Sequence, residues 1–394
     1  MKRFLFITNN INPFETTFGG AQRSHLLLRA ILKLGRVDVI AFAEGIESNI
    51  EGCSVLYSKQ IISSIHMNRF EKWTALKSPR NPYSIFPINK SKEDIVDTFV
   101  QQNNYDAIVV RYVNEAMSCG LMKYADKLIL DVDDHPKDAL KNKARQIKSK
   151  PNKIYHYIAS QLSKITVKYL ANNLKAALFS NPNQVVGRQG YYLPNISFDE
   201  PLCEYVDFTK TNQRLFFVGR LDYAPNYLGL DYFIDKVWLQ IKNVVLDAEL
   251  HIAGKIDEQF ADTLAPYVKK WNTTPGVCFL GFVDDINTEY HLCKATISPI
   301  LFGAGTNIKL IESMQRKRVC VTTKCGVRGL NKILTPNENV LVALNAKEYA
   351  RMCIKVLTDE SFNRNIAENA YEIVQKEFTH DAFCQIIKQI VTTN

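Results

Sequence analysis

Three stretches carry residues whose types and spacing suit an anionic ligand. In FGAGTNIKLIESM, residues 302–314, the small residues Gly303, Ala304 and Gly305 interrupt a loop before an amphipathic helix with Ile308, Ile311 and Met314 on one face. Thr306 is the expected N-cap. Lys309 and Glu312 lie three residues apart and share a helix face. A capped surface helix with a Lys–Glu pair accounts for the polar residues but not for the small ones. Small residues let a backbone approach a ligand, and a helix N-terminus offers free N–H groups and a positive dipole end. A phosphate would sit there with Lys309 as a point charge. Glu312, one turn on, would accept from the two hydroxyls of a ribose. The P-loop pattern GxxxxGK[ST] is absent.

The second stretch is VGRLDYAPNYLGL, where Gly219-Arg220 ends a predicted strand. Arg220 there would grip a diphosphate through both edges of its fork, or be a surface arginine at a turn. The third is FGGAQRSHLLL, where Gly19 and Gly20 open a helix without the GxGxxG dinucleotide pattern. One diphosphate approached from these loops fits all three. A fourth stretch, LDVDDHPKD, gathers Asp131, Asp133 and Asp134 before His135. It has a superficial look of a metal site, but no metal is expected. Asp134 and His135 read as polar groups at the end of a predicted strand, with a base role open. An Asp-rich cap on the next helix is the alternative. His25 faces either the ligand or its own helix packing.

The elements that must position these residues are legible as short apolar runs alternating with helical patterns. Strands are expected at 3–8, 37–42, 107–110, 127–132 and 176–180, then at 214–219, 248–254, 277–281, 295–300 and 318–323. Near-continuous apolar strands separated by helices imply parallel sheets covered on both faces. The polar stretch after Pro194-Asn195 reads as a linker. The expected architecture is α/β, with two Rossmann-like, doubly wound domains facing a cleft. Residues 1–196 are expected to form the first domain, and 197–377 the linker and the second. In such folds ligands bind beyond the carboxyl ends of the strands.

Composition is that of a globular chain of 394 residues, 46% apolar and 23% charged, with no repeat and a net charge of +9. Nine scattered cysteines without CxxC spacing suggest neither a disulfide framework nor a zinc site. The apolar run in MKRFLFITNN is too short for a signal peptide. A cytoplasmic protein is expected, at most peripheral at the inner membrane face. The Lys-rich region 137–175 fits either a solvated helix face or an anionic lipid surface. Pro151 should divide it into two helices. Nucleic-acid binding is not expected, because aromatic and basic residues do not interleave.

The blocks GRLDYAPNYLGLDYF, DAELHIAG, LGFVDDI, ISPILFGAGTNIKLIESM with RVCVTT, and CGVRGL occur in an order that resembles the retaining GT-B glycosyltransferases of family 4, also called group 1. The resemblance covers roughly residues 214–330; the first domain matches only in outline. It implies that Arg220 contacts a donor diphosphate and that Glu312 holds the nucleotide ribose. It also implies that Gly305, Thr306 and Asn307 bring helix N–H groups to the phosphates, with Gly219 beside them and Lys309 adding charge. Gly19 and Gly20 would border the donor or the acceptor. The resemblance also implies that 1–196, joined by a returning helix at 378–394, is the acceptor-side domain, that 197–377 hold the linker and the nucleotide-sugar-binding domain, and that Asp134 and His135 face the acceptor or the sugar. Two positions depart from the family pattern. Ala304 stands where many members have a second glutamate, and Asn226 where many have a lysine. A subgroup with a GxGT loop shares both, so the stereochemical outcome stays open.

The expected function is transfer of a sugar from a nucleotide-diphospho-sugar to a hydroxyl of a saccharide or lipid-linked saccharide, in surface-glycan assembly. Retention is expected, and no cofactor beyond that co-substrate. The alternative is a non-catalytic GT-B subunit or a protein that binds sugar nucleotides or glycans.

Overall fold

The computed structural model describes residues 2–16, 19–61, 69–133, 135–147, 149–197, 203–303 and 306–392. The chain divides into two compact units, one of Met1–Phe198 with His380–Asn394 and one of Asp199–Thr379.

The first unit holds seven parallel strands: β1 Lys2–Asn9, β2 Gly35–Phe42, β3 Cys53–Ser58, β4 Ala107–Arg111, β5 Leu128–Asp133, β6 Ala176–Phe179 and β7 Gly190–Tyr192. Their order is β3-β2-β1-β4-β5-β6-β7. Phe4–Ile7 and Ala107–Val110 are almost wholly buried, as strands covered on both faces must be. The outer strands β3 and β7 were not among the expected ones. Both are half-buried and lack a continuous apolar run. The sheet changes direction between β1 and β4, and α1 (Gly19–Leu32) follows β1 across a short loop.

The basic region after β5 forms two helices, α2 Pro136–Gln146 and α3 Lys150–Asn173. Pro151 lies in the first turn of α3, where its missing N–H is not needed, so the break falls at 147–149 rather than at the proline. Helix His380–Thr392 packs on α1, and His380 Nε2 lies 3.1 Å from the Ser197 carbonyl.

The second unit holds six parallel strands: β8 Arg214–Val218, β9 Glu249–Ala253, β10 Val277–Gly281, β11 Ala295–Ser298, β12 Val319–Thr323 and β13 Leu341–Ala343. The order β10-β9-β8-β11-β12-β13 puts the change of direction between β8 and β11. Leu215, Phe217, Ile252, Ile297 and Val321 form the sheet's part of the core, against Phe233 and Trp238. α4 (Ala224–Phe233) leaves β8 and runs on through a π-helical turn at Ile234–Trp238. Gly229 lets α4 lie against the chain leaving β11, since a Cβ there would run into the Pro299 carbonyl. α5 (Ile308–Gln315) follows β11. The loops after β8 and β11 therefore meet at the switch point, where ligands of doubly wound sheets bind.

Candidate functional site

In the second unit the loop after β8 and the start of α5 build a cationic cradle. Gly219 follows β8 with φ of 156°, and a Cβ there would lie 2.7 Å from Lys309 Nζ and closer still to Cε. Only glycine leaves the Lys309 side chain its path across the loop. Lys309 Nζ donates to Asn226 Oδ1 at 3.1 Å and lies 5.6 Å from the centre of the Phe217 ring. Among the described residues no carboxylate comes within 4.0 Å of this ammonium. Burial pulls the Lys309 pKa below the usual lysine range, and the Glu312 charge one turn on offsets this only in part.

The cap of α5 differs from expectation. Asn307, not Thr306, is the N-cap residue, and its side chain makes no bond to the helix N–H groups. Its Nδ2 donates instead to Ser298 Oγ at 2.7 Å, which pins the loop to the end of β11. The first N–H groups of α5 thus have no side-chain cap and remain suited to an anionic acceptor. Gly305 and Ala304 lie outside the described residues.

Arg220 is more occupied than its sequence context suggests. Its Nε and Nη2 pair with Asp222 at 3.0 and 2.7 Å, and Nη2 also reaches Asp257 at 3.1 Å. The hydrogen bonds to Asp222 push its pKa up. A fork grip on a diphosphate through that edge is unavailable in this conformation. Nη1 has no partner among the described residues and remains for an anion. Two contributors were missed by sequence reasoning. Asn226 is 2% exposed and links the two loops. Arg328, on the chain after β12, sits beside Gly303, whose Cβ would lie 3.7 Å from Arg328 Nη2. The only signal for it was its place in the CGVRGL block.

Gly219→Ala is expected to weaken anion binding by displacing the Lys309 head group, with a loss of at least tenfold in nucleoside diphosphate affinity by calorimetry. An unchanged affinity would mean that the ammonium does not face the ligand.

In the first unit the carboxyl ends of β4 and β5 carry a buried charge network. Asp131 receives Arg23 Nη2 at 2.7 Å and Arg111 Nη1 at 2.8 Å. Asp133 receives Arg111 Nη2 at 3.0 Å, with Arg23 Nε at 3.7 Å. All four side chains are buried. Burial alone would raise the Asp133 pKa, but Arg111 and Arg23 outweigh it and hold the carboxyl below its ordinary value. The metal-like look of LDVDDH is therefore explained by two arginines acting as counter-ions. Arg23 Nη1 also donates to the Leu193 and Pro194 carbonyls and to Asn195 Oδ1. Tyr112 and Asp133 have φ of 69° and 47°, the left-handed region that non-glycine residues avoid. The network holds both in it. Gly19 and Gly20 are the first residues of α1, and Arg23 one turn on brings that turn against the end of β5.

Asp134 lies outside the described residues. His135 is buried and caps α2, its Nδ1 accepting from the Lys137 N–H at 3.0 Å. Burial lowers its pKa to about 4. The ring is thus neutral with its proton on Nε2, and its one lone pair is used. This corrects the base role left open for His135, because the ring can present an N–H donor but not an acceptor. His25 packs locally, with Nδ1 3.1 Å from the Pro13 carbonyl.

The His135 shift has a measurable consequence. Between the ordinary histidine value of 6.5 and about 4, the unfolded chain binds a proton that the folded one refuses. Stability should therefore fall as pH drops through that window, by up to ~3 kcal/mol. His135→Asn, which keeps a capping side chain, should flatten this part of a melting-temperature curve against pH. An unaltered slope would assign the acid sensitivity elsewhere.

Comparison with known proteins fits this geometry. Residues 212–359 match the family described as glycosyl transferases group 1. They form a group 1 glycosyltransferase domain. A Klebsiella pneumoniae protein, described as an uncharacterized 44.6 kDa protein in a cps region, is 24% identical over 247 residues. That match covers 60% of this chain and spans only 61% of the relative. Sucrose-phosphate synthase from Thermosynechococcus elongatus superposes with a TM-score of 0.71 at 14% identity, over 99% of this chain and 98% of that one. HepE from Anabaena, solved in complex with UDP and glucose, gives 0.64 at 16% identity over 100% of both chains. These likenesses give the chain the GT-B fold. Among the described residues no helix is long and apolar enough to cross a membrane.

Proposed function

We propose that this protein is a glycosyltransferase that moves a sugar from a nucleotide-diphospho-sugar to a hydroxyl of a saccharide or lipid-linked saccharide in surface-glycan assembly. The observation that carries this reading is the Lys309 ammonium, half-buried beside the start of α5 and held, among the described residues, by a neutral amide and not by a carboxylate. A partly desolvated cation held by a neutral amide calls for an anionic ligand. The diphosphate binds Lys309, Nη1 of Arg220, the N–H groups of Gly305, Thr306 and Asn307, and those of the first turn of α5 that follow. Glu312 accepts from the ribose hydroxyls. These cations and dipoles stabilise the leaving diphosphate as its charge develops, which needs no metal. Gly19, Gly20, Asp134 and the Nε2–H of His135 serve the acceptor and sugar side. Retention of configuration belongs to this reading, and the anomeric coupling of the product reads it directly.

The first experiment is a thermal-shift screen of nucleoside diphosphates and nucleotide sugars, repeated on Glu312→Ala and Arg220→Ala. A ligand at about 100 times its dissociation constant adds roughly 2.7 kcal/mol of stability. A shift lost in both variants supports the reading. No shift with any nucleotide favours a non-catalytic GT-B protein.

A lipid-linked acceptor has separate support. Residues 139–198 contain ten Lys and Arg and no Asp or Glu. On α3 an exposed stripe combines Lys153, Lys164 and Lys168 with Ile154, Tyr157 and Ile165, the last three 52%, 54% and 43% exposed. Apolar groups set among lysines suit the interface of an anionic bilayer. Vesicles with anionic lipid should retain the protein in flotation and zwitterionic ones should not, and Ile154→Asp with Tyr157→Asp should release it. Equal retention of the variant would leave the stripe a solvated face.

A further inference from the structure

The Asn226 side chain is buried, yet both ends of its amide are used within the protein. Oδ1 accepts from Lys309 Nζ at 3.1 Å, and Nδ2 donates to the Arg220 carbonyl at 2.6 Å. One small side chain, 83 residues before the lysine in the chain, thus ties the lysine head on α5 to the backbone of the β8 loop. We propose that Asn226 is a positioning residue that aims the Lys309 ammonium at the diphosphate without neutralising it. This rests on the reading of the second unit as a nucleotide-diphosphate site.

The choice of an amide has a physical reason. A lysine side chain has a long flexible stem and about 2 kcal/mol of rotamer entropy to lose, so an unheld ammonium would sample many positions. A carboxylate partner would hold it but would cancel the charge and compete with the phosphates. A neutral carbonyl acceptor holds the ammonium and leaves its full charge to the ligand. The amide must also be oriented, and the Arg220 carbonyl does this by accepting from Nδ2. The same bond holds the amide against the backbone of the β8 loop. Gly219 completes the arrangement by leaving room for the lysine stem.

Asn226→Asp separates positioning from packing. The aspartate fits the same space and can accept from Lys309, but it neutralises the ammonium and faces the Arg220 carbonyl with like polarity. UDP, ADP and GDP are titrated by calorimetry into wild type, Asn226→Asp, Asn226→Ser, Lys309→Met and the Lys309→Met/Asn226→Asp double variant. The expected result is at least a tenfold loss for Asn226→Asp with its melting temperature retained, and a smaller loss for Asn226→Ser. In the Lys309→Met background, Asn226→Asp should cost nothing further, since it acts through the lysine. Wild-type affinity in Asn226→Asp overturns the inference. So does a full additional loss in the double variant, which would mean that Asn226 acts on its own. If Asn226→Asp does not fold, Asn226→Ser with the Lys309→Met/Asn226→Ser double variant carries the same cycle. If Lys309→Met binds every nucleotide as wild type does, the diphosphate site itself is wrong and the inference falls with it. If Lys309→Met abolishes binding and Asn226→Asp does not, only the inference falls.

Discussion

Replacing Lys309 with Met should weaken nucleoside diphosphate binding about 100-fold while leaving the melting temperature of the free protein nearly unchanged. Charge-assisted hydrogen bonds to phosphate are worth about 1.5–3 kcal/mol each, and a factor of 100 corresponds to about 2.7 kcal/mol. The stability half of the prediction follows from the lysine's surroundings. A half-buried cation bonded to a neutral amide carries a desolvation cost, and an apolar chain of similar length removes it. This offsets the lost partner of Asn226.

The pH dependence should have a definite sign. The charged group acting on the ammonium is Glu312, with the neutral Cys320 thiol, pushed up by burial to about 12, as the next titrating neighbour. Wild-type affinity should fall as pH rises through the depressed lysine pKa. Over the same range the stability of the free protein should rise, because the unfolded amine, with its ordinary value of 10.5, still binds the proton that the folded one has lost. Lys309→Arg should lose the alkaline limb. Calorimetric titration of the nucleoside diphosphate across pH decides this, and an affinity flat with pH in wild type would place the ammonium away from the phosphates.

Replacing Arg111 with Met should have the largest effect on stability. The guanidinium is wholly buried and bonds both Asp131 and Asp133. Its removal leaves two buried carboxylates with Arg23 as their one remaining cation in the network. Breaking a buried ion pair from one side costs about 3–5 kcal/mol. For a unit of this size each kcal/mol moves the melting temperature by roughly 2–4 °C, so a drop on the order of ten degrees is expected. Adding Asp133→Asn should recover part of it by removing the charge left over. Because Asp133 is held below its ordinary pKa, its contribution is present above the unfolded value and is lost as pH falls through the folded one. A melting temperature within a degree of wild type for Arg111→Met would show that the network contributes orientation alone.

What the sequence by itself determined is what is local to the chain. Runs such as Phe4–Ile7, Ala107–Val110 and Leu215–Phe217 are apolar throughout because both faces of their strands are covered, and that signal survives without any partner being known. The half-buried strands β3 and β7 at the sheet edges give no such signal. The shared face of Lys309 and Glu312 follows from helical spacing alone, and the group 1 pattern of the second unit is written in consecutive blocks.

The tertiary structure decided everything that depends on pairing across the chain. Asp131 and Asp133 looked like metal ligands until Arg23 and Arg111 were placed on them, the first from 108 residues away. Asn226 looked like a lost lysine until Lys309 was found bonded to it. His135 kept a base role open until its lone pair was found on the Lys137 N–H and its ring buried. Spacing along a chain sets which residues share a face. Burial and charge, which set what those residues can do, are properties of neighbours that only the folded chain brings together.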